Sequence, residues 1–354
     1  MRLKHCISLV LLFMLIMCEQ RSAYATVEPT GKIVFARANR NDREVWVVNA
    51  DGSEAHKLTD LYTDSEPGFA WSPDGTQVAF KPQMMQIAIV NLRTNVTRVL
   101  LKDSCCFDSP QWSPDGKMLS FADRINATYQ LNVIHPDGSG RRTLIPPEAA
   151  LNYADSSSDR PTWSPDGTRL AFVASKSDAD PSRSLWIINA DGTHLNRLPT
   201  PDMQPIFPVW SPDGTQIAFL DETEQVLYLI DVATSALTRL VPAATMDIGL
   251  GPIYPSWSPD GTQIAYARMS EEWAADLFAI DIKTHKEHQL THGPLHNFTP
   301  SWSPDGHFIV YGSLVRNIDA TQALMIMDAD GSNPRMLTDG NHMDTWPVWS
   351  PTAP

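Results

Sequence analysis

A five-residue phrase, Trp-Ser-Pro-Asp-Gly, recurs through this chain of 354 residues, beginning at Trp71, Trp112, Trp163, Trp210, Trp257 and Trp302. A shortened copy, Trp349-Ser350-Pro351-Thr352, follows as the seventh. Successive tryptophans are 41, 51, 47, 47, 45 and 47 residues apart. A period this steady constrains the fold more than any other feature. One supersecondary unit is repeated, and each copy has to bury its apolar face against the next.

The phrase itself is a turn. Proline sets φ near about −65° for the first central position, Asp tolerates the second, and Gly accepts the left-handed residue that follows. The tryptophan closes one strand and offers a large ring for burial. A short apolar strand follows each turn: Val78-Ala79-Phe80, Leu119-Ser120-Phe121, Leu170-Ala171-Phe172, Ile217-Ala218-Phe219, Ile264-Ala265-Tyr266 and Ile309-Val310-Tyr311. A third strand comes after it, at 87–90, 131–134, 185–188, 227–230, 277–280 and 324–327. It ends in one of two turns. Asn49-Ala50-Asp51-Gly52 and its counterparts at 135, 189 and 328 put Gly where φ must be positive, whereas Asn91, Asp231 and Asp281 open side-chain-capped turns. No long helical period appears.

With these residues in view, the repeat resembles that of the TolB-like β-propellers, over nearly the whole chain after residue 25. The resemblance implies an all-β fold: a seven-bladed β-propeller of four-stranded antiparallel blades. Residues 32–59 supply three strands of a blade without its first, and Pro347-Val348-Trp349 supplies a first strand without the rest. The ring is therefore expected to close by the carboxyl-terminal strand joining the amino-terminal blade, which also removes exposed sheet edges.

Residues 1–25 read as a secretory signal peptide. Arg2 and Lys4 precede an apolar run at 7–17, and Ala23-Tyr24-Ala25 is an A-x-A cleavage site. Lipidation at Cys18 would want a small residue before it, where Met17 stands. Residues 26–354 then form one propeller domain of 329 residues, 47 for each of seven units. The formal charge of −14 becomes −16 without the leader, which disfavours nucleic acid and anionic membrane as partners. The chain is expected to be exported, to a periplasm or the cell exterior, as a monomer with no membrane insertion. Cys105 and Cys106 are adjacent and cannot staple distant segments; they are read as buried side chains or a vicinal disulfide.

Function is expected where the repeat is irregular. The segments entering each first strand, at the mouth of a central channel, carry Glu66, Asp108, Asp159, His296, His342 and Asp344. Carboxylates and imidazoles on one axis could hold a divalent cation, or could cap turns and face water. Phe207, Tyr254, Phe298 and Trp346 lie on the same face, with Trp273 in a link between strands. They could grip a peptide or a sugar, or pack between units. The TolB resemblance implies a protein- or peptide-binding scaffold with no catalysis and no cofactor of its own, although TolB carries an amino-terminal domain for which this reading leaves no room. Other propellers of similar repeat are metal-dependent lyases of acidic oligosaccharides, which would make His296 and His342 ligands. An acidic chain without a basic cluster at the channel mouth suits a polyanionic substrate poorly. Serine peptidases with such propellers need a G-x-S-x-G elbow, and none is present.

Overall fold

The computed structural model describes residues 27–351 apart from 40–41, 64–67, 83–85, 102–109, 126–127, 147–148, 150, 154–159, 176–181, 241–252, 270–273, 294 and 317–320. The leader, Cys105 and Cys106 lie outside the described residues. Among those described there is no α-helix, and so none long and apolar enough to cross a membrane.

Each repeat tryptophan ends a strand: Ala70–Trp71, Gln111–Trp112, Thr162–Trp163, Pro205–Trp210, Ile253–Trp257, Asn297–Trp302 and Met343–Trp349. The first six pair antiparallel with the strand after the turn, as Trp210 does with Ile217. The last pairs instead with Lys32–Asn39, setting Trp349 opposite Ile33. Four sheets have four strands each. Another gains a short strand, Asn152–Tyr153, from the long connection before Trp163; it lies against Ser175 and Ala174. An eight-stranded sheet consists of two antiparallel quartets linked by one parallel pair, Gln322 with Met343.

The turns fold as their residues dictate. Ser72 Oγ donates to Asp74 Oδ1 at 2.6 Å and accepts from Gln77 N at 2.9 Å, while Gly75 N donates to Ser72 O at 2.8 Å. The same serine–aspartate bond, at 2.5–2.7 Å, recurs in the other five complete copies. Successive turns stack: Gly214 has φ +71°, and a Cβ there would sit 3.4 Å from Pro165 Cδ of the preceding turn. On the same edge of the sheets, Asp231 Oδ1 caps its turn by accepting from Ala233 N and Thr234 N.

Apolar side chains fill the space between consecutive sheets. Trp210 packs with Ala171, Val173 and Leu185 of one sheet and with Ile217, Phe219 and Tyr228 of its own. The repeat tryptophans are 5–8 % exposed except for the half-buried Trp257, so they are core residues. Their indoles also bond from sheet to sheet. Trp163 Nε1 donates to Gln111 O, Trp210 to Thr162 O, Trp257 to Val209 O and Trp302 to Ser256 O, at 3.1–3.3 Å. Each acceptor precedes the tryptophan of the sheet before. Trp71 Nε1 donates in the same way to Val348 O at 3.0 Å, across 277 residues of sequence. Trp112 Nε1 is buried without a partner among the described residues.

Candidate functional site

The position three residues before each repeat tryptophan is where the sheets stop being alike. Gly68, Arg160, Phe207, Tyr254, Thr299 and Trp346 stand there, and all of them line one cavity of about 370 Å³. Ser109, at the equivalent place before Trp112, lies outside the described residues. A proline follows five of the lining residues, at 161, 208, 255, 300 and 347. Proline has no N–H to give the neighbouring strand, and pairing skips at this point. The register shifts between Ile206 and Val209, between Ile253 and Ser256, and between Phe298 and Ser301.

The residue at this offset enters the left-handed region at the bulges, with φ +52° at Phe207, +57° at Tyr254, +50° at Thr299 and +58° at Trp346, and Gly68 shares it at +57°. Glycine adopts this freely, whereas bulky and β-branched residues are outliers there. Each costs about 1–3 kcal/mol and persists because the surrounding structure over-determines it. The surrounding sheets enforce this backbone at four non-glycine positions round one cavity.

The strained positions bring three aromatic rings together. Phe207 meets Tyr254 at 5.2 Å and 61°, and Tyr254 meets Trp346 at 5.1 Å and 86°. Edge-to-face contacts of this kind join half-buried rings into a continuous surface. The Arg160 guanidinium lies 5.9 Å from the Trp346 ring. It is the one formally charged side chain among the described lining residues.

The other candidates lie elsewhere. Phe298 stacks on His296 at 5.9 Å and 23°, and neither lines the cavity. His342 is exposed, 3.6 Å from Asp339. Asp344 is fully buried and accepts two bonds from Arg37, at 2.7 and 2.8 Å, where the last inner strand pairs with the first strand. Burial alone would lower the Arg37 pKa, but the hydrogen bonds and charge of Asp344 outweigh it and the net shift is upward. Its guanidinium also lies 4.2 Å over Trp46. Glu66, Asp108, Asp159 and Trp273 lie outside the described residues. Among those described, no group of three or more His, Cys, Asp or Glu could hold a metal ion.

Residue-type reasoning therefore picked out Phe207, Tyr254 and Trp346 but passed over Gly68, Thr299 and Arg160. The signal that finds all six is positional, a fixed offset of three from the repeat tryptophan.

Residues 149–353 match the family described as TolB beta propeller domain. The Tol-Pal system protein TolB of Alcanivorax borkumensis is 30% identical over 95 residues, 25% of this chain and 22% of that protein. The chain spans about a fifth of the length of the curated relatives that it matches. Among solved structures, TolB from Acinetobacter baumannii is similar with a TM-score of 0.53 at 18% identity, covering 90% of this chain and 82% of that one. Oligogalacturonate lyase from Vibrio parahaemolyticus is similar with a TM-score of 0.66 at 16% identity, covering 84% of this chain and 86% of the lyase. At these identities the likeness to both structures is one of fold alone.

Proposed function

Because the chain belongs to the TolB beta propeller domain family, we propose that it is a seven-bladed closed ring, exported as a monomer, that binds a protein or peptide partner at its channel mouth without catalysis of its own. The strand pairing of Trp349 with Ile33 and the indole bond from Trp71 to Val348 support closure. The basic start, apolar run and A-x-A site support export. One observation carries the binding reading: three aromatic side chains, held at positive φ, converge on a single cavity. Rigid aromatic anchors in a pocket concentrate binding energy. Trp273, outside the described residues, is proposed on its sequence position as a further anchor.

A display selection of random peptides on the folded chain tests this. Selected peptides should compete with one another and lose at least tenfold in affinity against Phe207→Ala or Trp346→Ala, whose melting points stay near wild type. Trp273→Ala should weaken the same peptides. Peptides indifferent to Phe207 and Trp346 would put the binding face elsewhere.

A second reading, a metal-dependent enzyme acting on an oligosaccharide, has its support in the fold shared with oligogalacturonate lyase. Elemental analysis of the purified protein separates the two, since a stoichiometric divalent metal favours the enzyme.

A further inference from the structure

Arg160 has no carboxylate partner among the described residues, although the chain carries an excess of acid. Three other shielded arginines do have one, as Arg37 holds Asp344, Arg183 holds Glu222 and Arg268 holds Glu287, whereas Arg43 bonds to Thr345 and Arg169 lies over Trp210. What sets Arg160 apart is its place: it lies half-buried beside the Trp346 ring, in a cavity whose other described lining residues carry no formal charge. A guanidinium in such a place is a planar fork of donors that matches a carboxylate in two parallel bonds.

The rest of the lining narrows the ligand. Prolines 161, 208, 255, 300 and 347 contribute no backbone N–H, so donors in the lining are chiefly side chains: neutral ones such as Gln111, Thr162 and Ser256, and the cation of Arg160. One guanidinium balances the single charge of a carboxylate, whereas a phosphate carries about 1.5–2 negative charges at neutral pH and would leave part of its charge unpaired here. The walls also present the flat faces of Phe69, Phe207, Tyr254 and Trp346. The volume, about 370 Å³, is at the small end of the range for ligand pockets, about 300–1,000 Å³.

We propose that this cavity takes a carboxylate carried on an aromatic or apolar body, the guanidinium of Arg160 holding the carboxylate and the three rings holding the body. Two sources share that chemistry: a small organic acid, and the carboxyl terminus of a peptide ending in an apolar residue. The net charge of the chain repels anions in general, so the Arg160 fork selects among them by fit. This rests on the reading of the channel mouth as the binding face.

Calorimetry on the intact folded chain tests it with two matched pairs of probes. One is N-acetyl-phenylalanine against its amide. The other is the pentapeptide Ala-Ala-Ala-Ala-Phe as free acid against its carboxyl-terminal amide. An acid should bind on the order of tenfold or more tighter than its amide, the scale of a charge-assisted bond pair. Arg160→Gln should erase that difference at an unchanged melting point, and Arg160→Lys should restore part of it. Preference confined to the small acid, or to the peptide acid, supports the proposal and names the source. Equal binding of acid and amide, or a preference that survives Arg160→Gln, overturns it. So does the absence of binding by all four probes at millimolar concentration. If display-selected peptides still depend on Trp346 in those cases, the binding face stands and only its carboxylate chemistry falls.

Discussion

Within three residues, each inner strand passes from the most uniform place in the molecule to the least. At the tryptophan end the side chain is the same in every sheet, the serine–aspartate bond repeats within 2.5–2.7 Å, and glycine occupies the left-handed position. At the cavity end no two of the lining residues at that offset are alike, and four of them take a left-handed backbone that suits none of them. One end is built for stability and the other is held in shape by it. The repeat supplies rigidity on one edge of the sheets so that conformational cost can be carried on the other.

The hardest test of that contrast removes the strand that joins the two parts of the chain. Deleting residues 345–354 takes away Trp349 and its pairing with Ile33. The melting midpoint should fall by on the order of ten degrees or more, given the usual cost of losing a buried tryptophan. An unchanged midpoint would mean that the fold does not depend on this strand. Next in size, Trp210→Ala should cost about 3–5 kcal/mol in urea unfolding, whereas Trp346→Ala should cost no more than about 1–2 kcal/mol. Equal losses would erase the distinction between the two ends.

Smaller effects separate the backbones. Thr299 is β-branched at φ +50°, so Thr299→Gly should leave stability unchanged or raise it by up to about 1 kcal/mol. Gly214→Ala, at φ +71° in a repeat turn, should lower stability by about 1–2 kcal/mol. The opposite signs should appear in one set of melts; destabilisation by both would deny that Thr299 is strained.

The slightest effect depends on acid. Hydrogen bonds from the turn serines hold Asp74, Asp115, Asp166, Asp213 and Asp260 below the ordinary 3.8. Burial pushes Asp305 the other way but is outweighed, chiefly by Ser303. A depressed folded pKa means that the unfolded chain takes up protons more readily. The stabilisation is therefore complete above pH 3.8 and is lost as pH falls through the lower folded values. Melting points measured from pH 5 to pH 2 should drop across that window. Ser211→Ala should soften the drop slightly, and Phe207→Leu should leave its slope unchanged.

The fold was legible because its signal is redundant. Each Trp-Ser-Pro-Asp-Gly turn states its own geometry locally, and the spacing adds the repeat. The missing first strand of residues 32–59 even indicated that Trp349 would pair near Ile33, as it does. The site was legible only in part. Reading by residue type favoured carboxylates and imidazoles four to seven residues before each tryptophan, but the proline bulge shifts the cavity-facing position to three. Simple strand alternation cannot foresee a skipped pair. Arg160 was overlooked because an isolated arginine before a proline says nothing until its neighbours across the cavity are known. Asp344 looked like an open carboxylate for a similar reason. Its partner, Arg37, stands 307 residues earlier and is found only through strand register.

The pairing of Met343–Trp349 with Lys32–Asn39 also sets an order of events. Lys32–Asn39 is made among the first strands and cannot acquire its inner partner until nearly all of the chain has followed. During that interval its edge is an open template, and a newly made chain is exposed to association through it. The matching strand of a second copy would satisfy the same edge equally well, including the fork between Arg37 and Asp344. Refolding at high concentration should thus yield exchanged dimers that dissolve into monomers only by unfolding, while dilute refolding should yield monomers.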